Sequence, residues 1–399
     1  MTGVAEAERR IIASMAPFTV ARRPLDACYG LILAAQAHAE RDQPPFDRVT
    51  MDGIAIAYSA WQSGQRRFQR AGTQAAGAPA MTLPGPEHCI EIMTGAMLPV
   101  GADTIVPVER LTEDGAFLCI EAEARVTQHQ FVHPRGSDGR QGATLLTVGT
   151  RLGAPEIAVL AGAGYAELLV AAEPALAVIS TGDELVDLST KIEPQQIRST
   201  NEFAIAASLE SRRLAKVTRA RLKDDEAELL DAIDALHESH AALILSGGVS
   251  MGQFDFVPAV LERLGAKVVF HKIQQKPGRP MWFGLSNAGK PIFALPGNPV
   301  SALVCTRRYI VPAFEAAARL APRPAEFAAL TEAVVAPPHL TYFLPVKTHW
   351  SGDGLEYAVP CPTNTSGDFI SLAGTDGFVE LAPGREHYPA GTVARLFRW

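Results

Sequence analysis

The chain has few cysteines, few lysines and no long apolar run, and each scarcity narrows what it can be. Its five cysteines, Cys28, Cys89, Cys119, Cys305 and Cys361, are scattered without a C-x-x-C pair or a neighbouring histidine. That spacing argues against a disulfide framework, a zinc site or a thiol nucleophile. We expect reduced, mostly apolar cysteines in a cytoplasmic protein. No apolar stretch approaches the roughly 18 residues that cross a bilayer, and Glu6, Glu8, Arg9 and Arg10 stand where a secretory leader would be apolar. A net charge of −7 gives no general attraction to nucleic acid or anionic membrane, so we expect neither as a partner. An acidic protein that binds an anion must gather its cations locally. Lysine numbers only eight, yet Lys267, Lys272, Lys276 and Lys290 fall close together.

What the chain does have is strand, turn and helix in alternation. Apolar runs at 242–245, 267–270 and 292–295 have the length and bounding turns of buried strands. Each ends in a glycine, proline or polar cluster, and two of these clusters lead into helix-like runs. That order predicts an open parallel sheet whose ligands sit beyond the carboxyl ends of its strands. Two more strands are expected at 175–180 and 217–222. Ser199 and Glu202 have capping-box spacing, and a helix opens at Lys223-Asp224-Asp225 with Leu229, Leu230, Ile233 and Leu236 on one stripe. We read 174–321 as one three-layer α/β domain. Before it, 4–15 and 24–40 are alanine-rich at helical spacing, a helical opening over 1–45 that resumes at 139–173. The β-like runs between Gly/Pro turns over 46–138 predict an inserted β lobe. Residues 325–399 are short strands separated by SGDG, TSGD and GTDG turns, which predicts a small closed or sandwiched β domain.

Chemistry gathers at the expected strand ends. Pro296-Gly297 turns the chain and Asn298-Pro299 fits an N-cap followed by proline, so a helix starting there would aim backbone N–H groups at an anion. Lys272, Lys276 and Arg279 lie upstream, and Asp255 follows the Gly247-Gly248 turn. A cationic, glycine-rich mouth with a placed carboxylate suits a phosphorylated ligand with a divalent metal.

Taken together, these stretches resemble the MoeA-type molybdopterin molybdenumtransferases, whose eukaryotic counterpart is the gephyrin E domain. Seven ordered blocks carry the resemblance: PPFDRVTMDGIAI, EIMTGAMLPVGADTIVPVE, VISTGDELV, SGGVSMGQFDF, KIQQKPGRP, LPGNPVSAL and SGDFISLAGTDGFVEL. It implies a homodimer of multidomain α/β and β subunits. Each would have an elongated helical N-terminal domain, the inserted β lobe, an α/β molybdopterin-binding domain and a C-terminal β-barrel. The active site would form between the α/β domain of one subunit and the β lobe of the other. There, adenylylated molybdopterin and molybdate are the substrates, Mg²⁺ assists, and AMP leaves as molybdenum enters the dithiolene.

Carried over position by position, the resemblance implies catalytic roles for Asp52, Thr94, Asp138, Glu184, Asp224 and Asp255. It implies ligand binding by Lys272, Lys276, Arg279, Gly247, Gly248, Ser250, Pro296, Gly297, Asn298 and Pro299. Glu184 and Asp255 follow strand ends, where carboxylates can hold hydrated Mg²⁺ against phosphoryl oxygens. Asp224 precedes a helix, and a plain cap is its competing reading. Two departures stand out: Ser137 replaces a usual acid before Asp138, and Ser199-Thr200 precede Asn201 where the family commonly has aspartate and serine. Two other functions share the motifs, a gephyrin-like scaffold and a molybdopterin adenylyltransferase. The adenylyltransferase and maturing molybdoenzymes are also the partners the resemblance admits.

Overall fold

The computed structural model describes residues 1–249, 256–352 and 354–399. They form two compact units, one of 1–35, 148–154 and 167–399, the other of 36–147 and 155–166. Among the described residues no helix is long and apolar enough to cross a membrane.

The first unit is built on a six-stranded sheet, in the order Lys216–Leu222, Ala175–Thr181, Ala242–Ser246, Pro291–Leu295, Trp282–Leu285 and Lys267–His271. The first four strands are parallel. Trp282–Leu285 runs antiparallel to both neighbours, so the expectation of an all-parallel sheet is corrected at this edge. The cause is the short Ser286–Lys290 turn, closed by the Ser286 N–H on the Lys290 carbonyl at 2.9 Å, which permits only a hairpin.

The central strands read as unbroken apolar runs because both faces are covered. Leu176, Val178, Ile244 and Phe293 enter one core, and Ala177, Ile179, Leu243 and Ile292 enter the other. Each large side chain so buried contributes roughly 1.5–3 kcal/mol. Helices Asn201–Glu210 and Pro299–Cys305 cover the first face, and Glu226–Ser239 and Val257–Arg263 the second. Ser180 pairs with Ser246 and Ser246 with Leu295, so three strands finish level at their carboxyl ends.

Helix Val4–Ser14 places Val4, Ala7 and Ile11 on one stripe against the first of these cores. Residues 24–40 are not helical, contrary to their alanine-rich composition. Only a single 3-10 turn, Leu25–Ala27, forms there. The segment is held extended instead: Leu33 donates to the Thr150 carbonyl and Ala34 to the Leu169 carbonyl, each at 2.9 Å. Tertiary pairing overrides a weak propensity here.

Five strands close the C-terminal barrel, in ring order Thr341–Trp350, Glu356–Pro360, Glu326–Leu330, Val393–Arg398 and Gly377–Leu381, which returns to Thr341–Trp350. Alternate residues such as Leu344, Val346, Val379, Leu381 and Leu396 fill it. The short strand Gln275–Lys276 adds to Thr341–Trp350, so the cation-bearing loop is seated on the barrel. The second unit holds another six-stranded sheet, ordered Thr104–Pro107, Gly53–Ile56, His88–Ile92, Arg67–Gln74, Phe117–Ile120 and Leu111–Asp114, over Ile54, Ile56, Phe68 and Val106.

Barrel, helix and amino terminus of the first unit meet at Arg308, which is 2% exposed and lies 2.9 Å from both Glu8 and Glu380. Removing one partner leaves a buried charge half-compensated. Glu380→Ala should therefore lower stability by about 3 kcal/mol, read as a lower urea midpoint at unchanged slope. A loss below about 0.5 kcal/mol would show that the guanidinium is satisfied without it.

Candidate active site

Beyond the level strand ends lies a cavity of about 780 Å³. Its floor is polar where Thr181 and Ser246 end their strands. Asn201, first in its helix, donates from Nδ2 to Ser246 Oγ at 2.8 Å and to the Gly297 carbonyl at 2.7 Å. Ser246 donates to the Pro296 carbonyl at 3.3 Å. Gly247 is required where it stands: at φ +108°, a Cβ would meet the Thr181 carbonyl oxygen at 2.5 Å. Thr181 itself is 5% exposed, and its hydroxyl has no partner among the described residues.

Glu184 and Asp224 line this cavity with Gly247, Gly248, Pro296, Gly297, Asn298 and Pro299. The Asp224 N–H donates to Asp183 Oδ1 at 3.2 Å, which ties the two acidic loops together. Asp224 is not the helix cap. Asp225 takes that role, accepting from Ala227 N at 3.1 Å and Glu228 N at 2.9 Å. Arg198 brings a cation to the same wall that the sequence did not suggest.

Lys276 and Arg279 line a neighbouring cavity of about 320 Å³, which shares Pro280, Pro296 and Asn298 with the first. Lys276 Nζ stands 5.7 Å over the Tyr342 ring. Lys272 lines neither cavity; its N–H donates to the Met281 carbonyl at 2.9 Å and its carbonyl accepts from Thr2 at 3.1 Å. Ser250 and Asp255 lie outside the described residues. The free helix start expected at Pro299 is corrected. Asn298 does not cap with its side chain but donates to Ser366 Oγ at 2.7 Å, and the Val300 N–H donates to the Ser366 carbonyl at 3.1 Å. A barrel loop, remote in sequence, has taken that donor. The capping box expected at Ser199 is also absent. Ser199 and Ser180 both donate to the buried Glu202 carboxylate, each at 2.7 Å.

In the second unit, Asp52 Oδ1 accepts from both the Thr94 hydroxyl at 2.7 Å and the Thr94 N–H at 2.6 Å. The hydroxyl first, then the N–H, hold the carboxyl below its usual range. Asp138 lies 2.8 Å from His133 Nε2. Arg48 donates to His133 Nδ1 at 3.1 Å, which leaves Nε2 to carry the proton towards Asp138. Nothing in the spacing of Arg48 and His133 along the sequence links them to Asp138.

Three family profiles match the chain: the MoeA N-terminal region (domain I and II) over 2–164, a probable molybdopterin binding domain over 177–316, and the MoeA C-terminal region (domain IV) over 328–397. The molybdopterin molybdenumtransferase of Synechocystis is 38% identical over 401 residues and covers 100% of both chains. That of Bacillus subtilis is 30% identical over 373 residues, 91% of this chain and 86% of its own. Among solved structures, a molybdopterin biosynthesis MoeA protein of Pyrococcus horikoshii superposes with a TM-score of 0.83 at 28% identity, over 100% of this chain and 99% of that one.

The Asp52–Thr94 pair has a testable sign. Its carboxyl is depressed in the folded protein, so the pair stabilises above about pH 4 and that contribution fades as acid protonates it. Thr94→Val removes the larger cause. The Asp52 carboxyl should then titrate closer to an ordinary aspartate in a ¹³C NMR titration, and an unmoved midpoint would refute the assignment.

Proposed function

Since this chain belongs to the MoeA family of molybdopterin molybdenumtransferases, we propose that it inserts molybdenum from molybdate into adenylylated molybdopterin, releasing AMP, in molybdenum cofactor biosynthesis. One observation carries the reading: a carboxylate-bearing cavity at the strand ends abuts a second cavity bearing Lys276 and Arg279. Both substrates are anions. Lys276 would hold phosphoryl or molybdate charge as a point charge, and Arg279 as a fork. The buried Thr181 hydroxyl, in the wall of the first cavity, is a donor with no acceptor among the described residues.

The donor set also fits Mg²⁺. Glu184 and Asp224 share one cavity, and this ion is commonly held by one or two carboxylates with substrate phosphates completing its shell. Asp255, which the resemblance pairs with Glu184 as a metal ligand, lies outside the described residues. When bound, the ion supplies charge neutralisation on those oxygens. The proposal includes a homodimer, with Asp52, Thr94 and Asp138 of one subunit serving the cavity of the other.

The direct test is release of AMP from adenylylated molybdopterin, which should require both molybdate and Mg²⁺. Formation of adenylylated product from molybdopterin and MgATP without molybdate would instead mark an adenylyltransferase. Glu184→Gln should keep the fold and lose metal-dependent turnover; unchanged turnover would remove Glu184 from the metal site. Lys276→Ala should raise KM about tenfold at low ionic strength and much less at about 1 M salt, where the Debye length falls to about 3 Å. Equal loss at both would mean that Lys276 does not act through its charge.

A further inference from the structure

The loop that carries Lys276 and Arg279 is fixed from within by one buried amide. Gln275 is 0% exposed. Its Oε1 accepts from the Tyr309 hydroxyl, and its Nε2 donates to the Pro277 carbonyl at 3.0 Å and lies 3.4 Å from Cys305 Sγ. The Cys305 thiol donates in turn to the Gly278 carbonyl at 3.8 Å. Both carbonyls between the two cations are therefore held by side chains. Gly278 stands at φ +88°, and a Cβ there would meet Cys305 Sγ at 2.5 Å and Gln275 Nε2 at 2.6 Å, so the loop backbone rests directly on this pair.

Tyr309 decides which way the amide faces. It is 1% exposed, and burial pushes its hydroxyl pKa well up, so it stays protonated and donates. A donor at Oε1 leaves Nε2 turned to the loop. Tyr309 sits in the π turn Thr306–Ile310 beside Arg308, which is anchored to Glu8 and Glu380. The phenol is thus the rigid end of a chain running from helix to amide to loop.

We propose that Tyr309, acting through Gln275, is a positioning residue that sets the Lys276–Arg279 loop for anion binding. This rests on the reading above that the loop binds the charged part of the ligand. Without the hydroxyl, the amide loses the partner that orients it, the Pro277 carbonyl is released, and the cations spread over more positions. Anion affinity then falls while the chemical step is spared.

Inorganic pyrophosphate is a suitable probe, since it carries phosphoryl charge without the rings; its binding is measured by calorimetry with thermal unfolding alongside. Tyr309→Phe should weaken it about tenfold, from an unsatisfied buried acceptor and a loosened loop. In turnover, KM should rise with kcat little changed. In a Lys276→Ala background the same change should cost less than it does alone, because only the Arg279 contact is left to disturb. The pair Gln275→Met with Tyr309→Phe removes both polar partners at similar volume, so it should recover stability but not pyrophosphate affinity. If affinity returns with stability, Tyr309 is only structural and the proposal falls. Should Lys276→Ala weaken binding while Tyr309→Phe leaves it unchanged, positioning fails and the loop's anion role stands. Undiminished binding by Lys276→Ala would overturn both.

Discussion

One asparagine side chain ties the mouth of the sheet together. Asn201 spends its amide on Ser246, at the tip of one strand, and on the Gly297 carbonyl, just past the tip of the next. Ser246 is buried, and losing its partner there costs about 1–3 kcal/mol. A helix start, a glycine turn and a proline turn are thereby held in one arrangement before any ligand arrives. The cavity inherits its shape from that constraint. Such preorganisation means that ligand-binding energy is not consumed in ordering the protein.

Much of this was legible in the sequence where the physics is local. Apolar runs bounded by glycine and proline placed the central strands within a residue or two, and the Gly247-Gly248 and 296–299 turns marked the mouth where the cavity lies. Legibility failed where partners are remote. Residues 24–40 have helical composition, but the carbonyls of Thr150 and Leu169 hold them extended. Ser199 and Glu202 have the spacing of a capping box, yet Ser180, 22 residues earlier, recruits the same carboxylate. The helix start at Pro299 looked free for an anion until Ser366 of the barrel reached it. In each case a short-range rule was correct about the bond required and silent about who would make it.

The site residues divide along the same line. Lys276 and Arg279 were conspicuous as charge in a glycine and proline loop, whereas Glu184 and Asp224, which line the neighbouring cavity, were singled out through the family blocks. Asn201, Gln275, Tyr309 and His133 were missed. Each is a polar group hydrogen-bonded to a residue remote in sequence, and its spacing in the chain says nothing of that neighbour. Asp52, Thr94 and Asp138 were visible only through the resemblance.

The separation of charge explains why an acidic protein can serve an anionic ligand. Carboxylates placed directly against Lys276 and Arg279 would neutralise them, leaving neither free for substrate or metal. The fold instead gives the acids, with Arg198, one cavity and these two cations the next, with Pro280, Pro296 and Asn298 lining both. Two of these three dividers are prolines, so the partition is stiff and adds no charge of its own. On the proposed function, a ligand spanning the divide would meet cations at its anionic end and carboxylates beside its phosphoryl oxygens. The order of charges along the ligand is then read by the order of the cavities, which makes the rigid partition, more than any one charged group, the source of orientation.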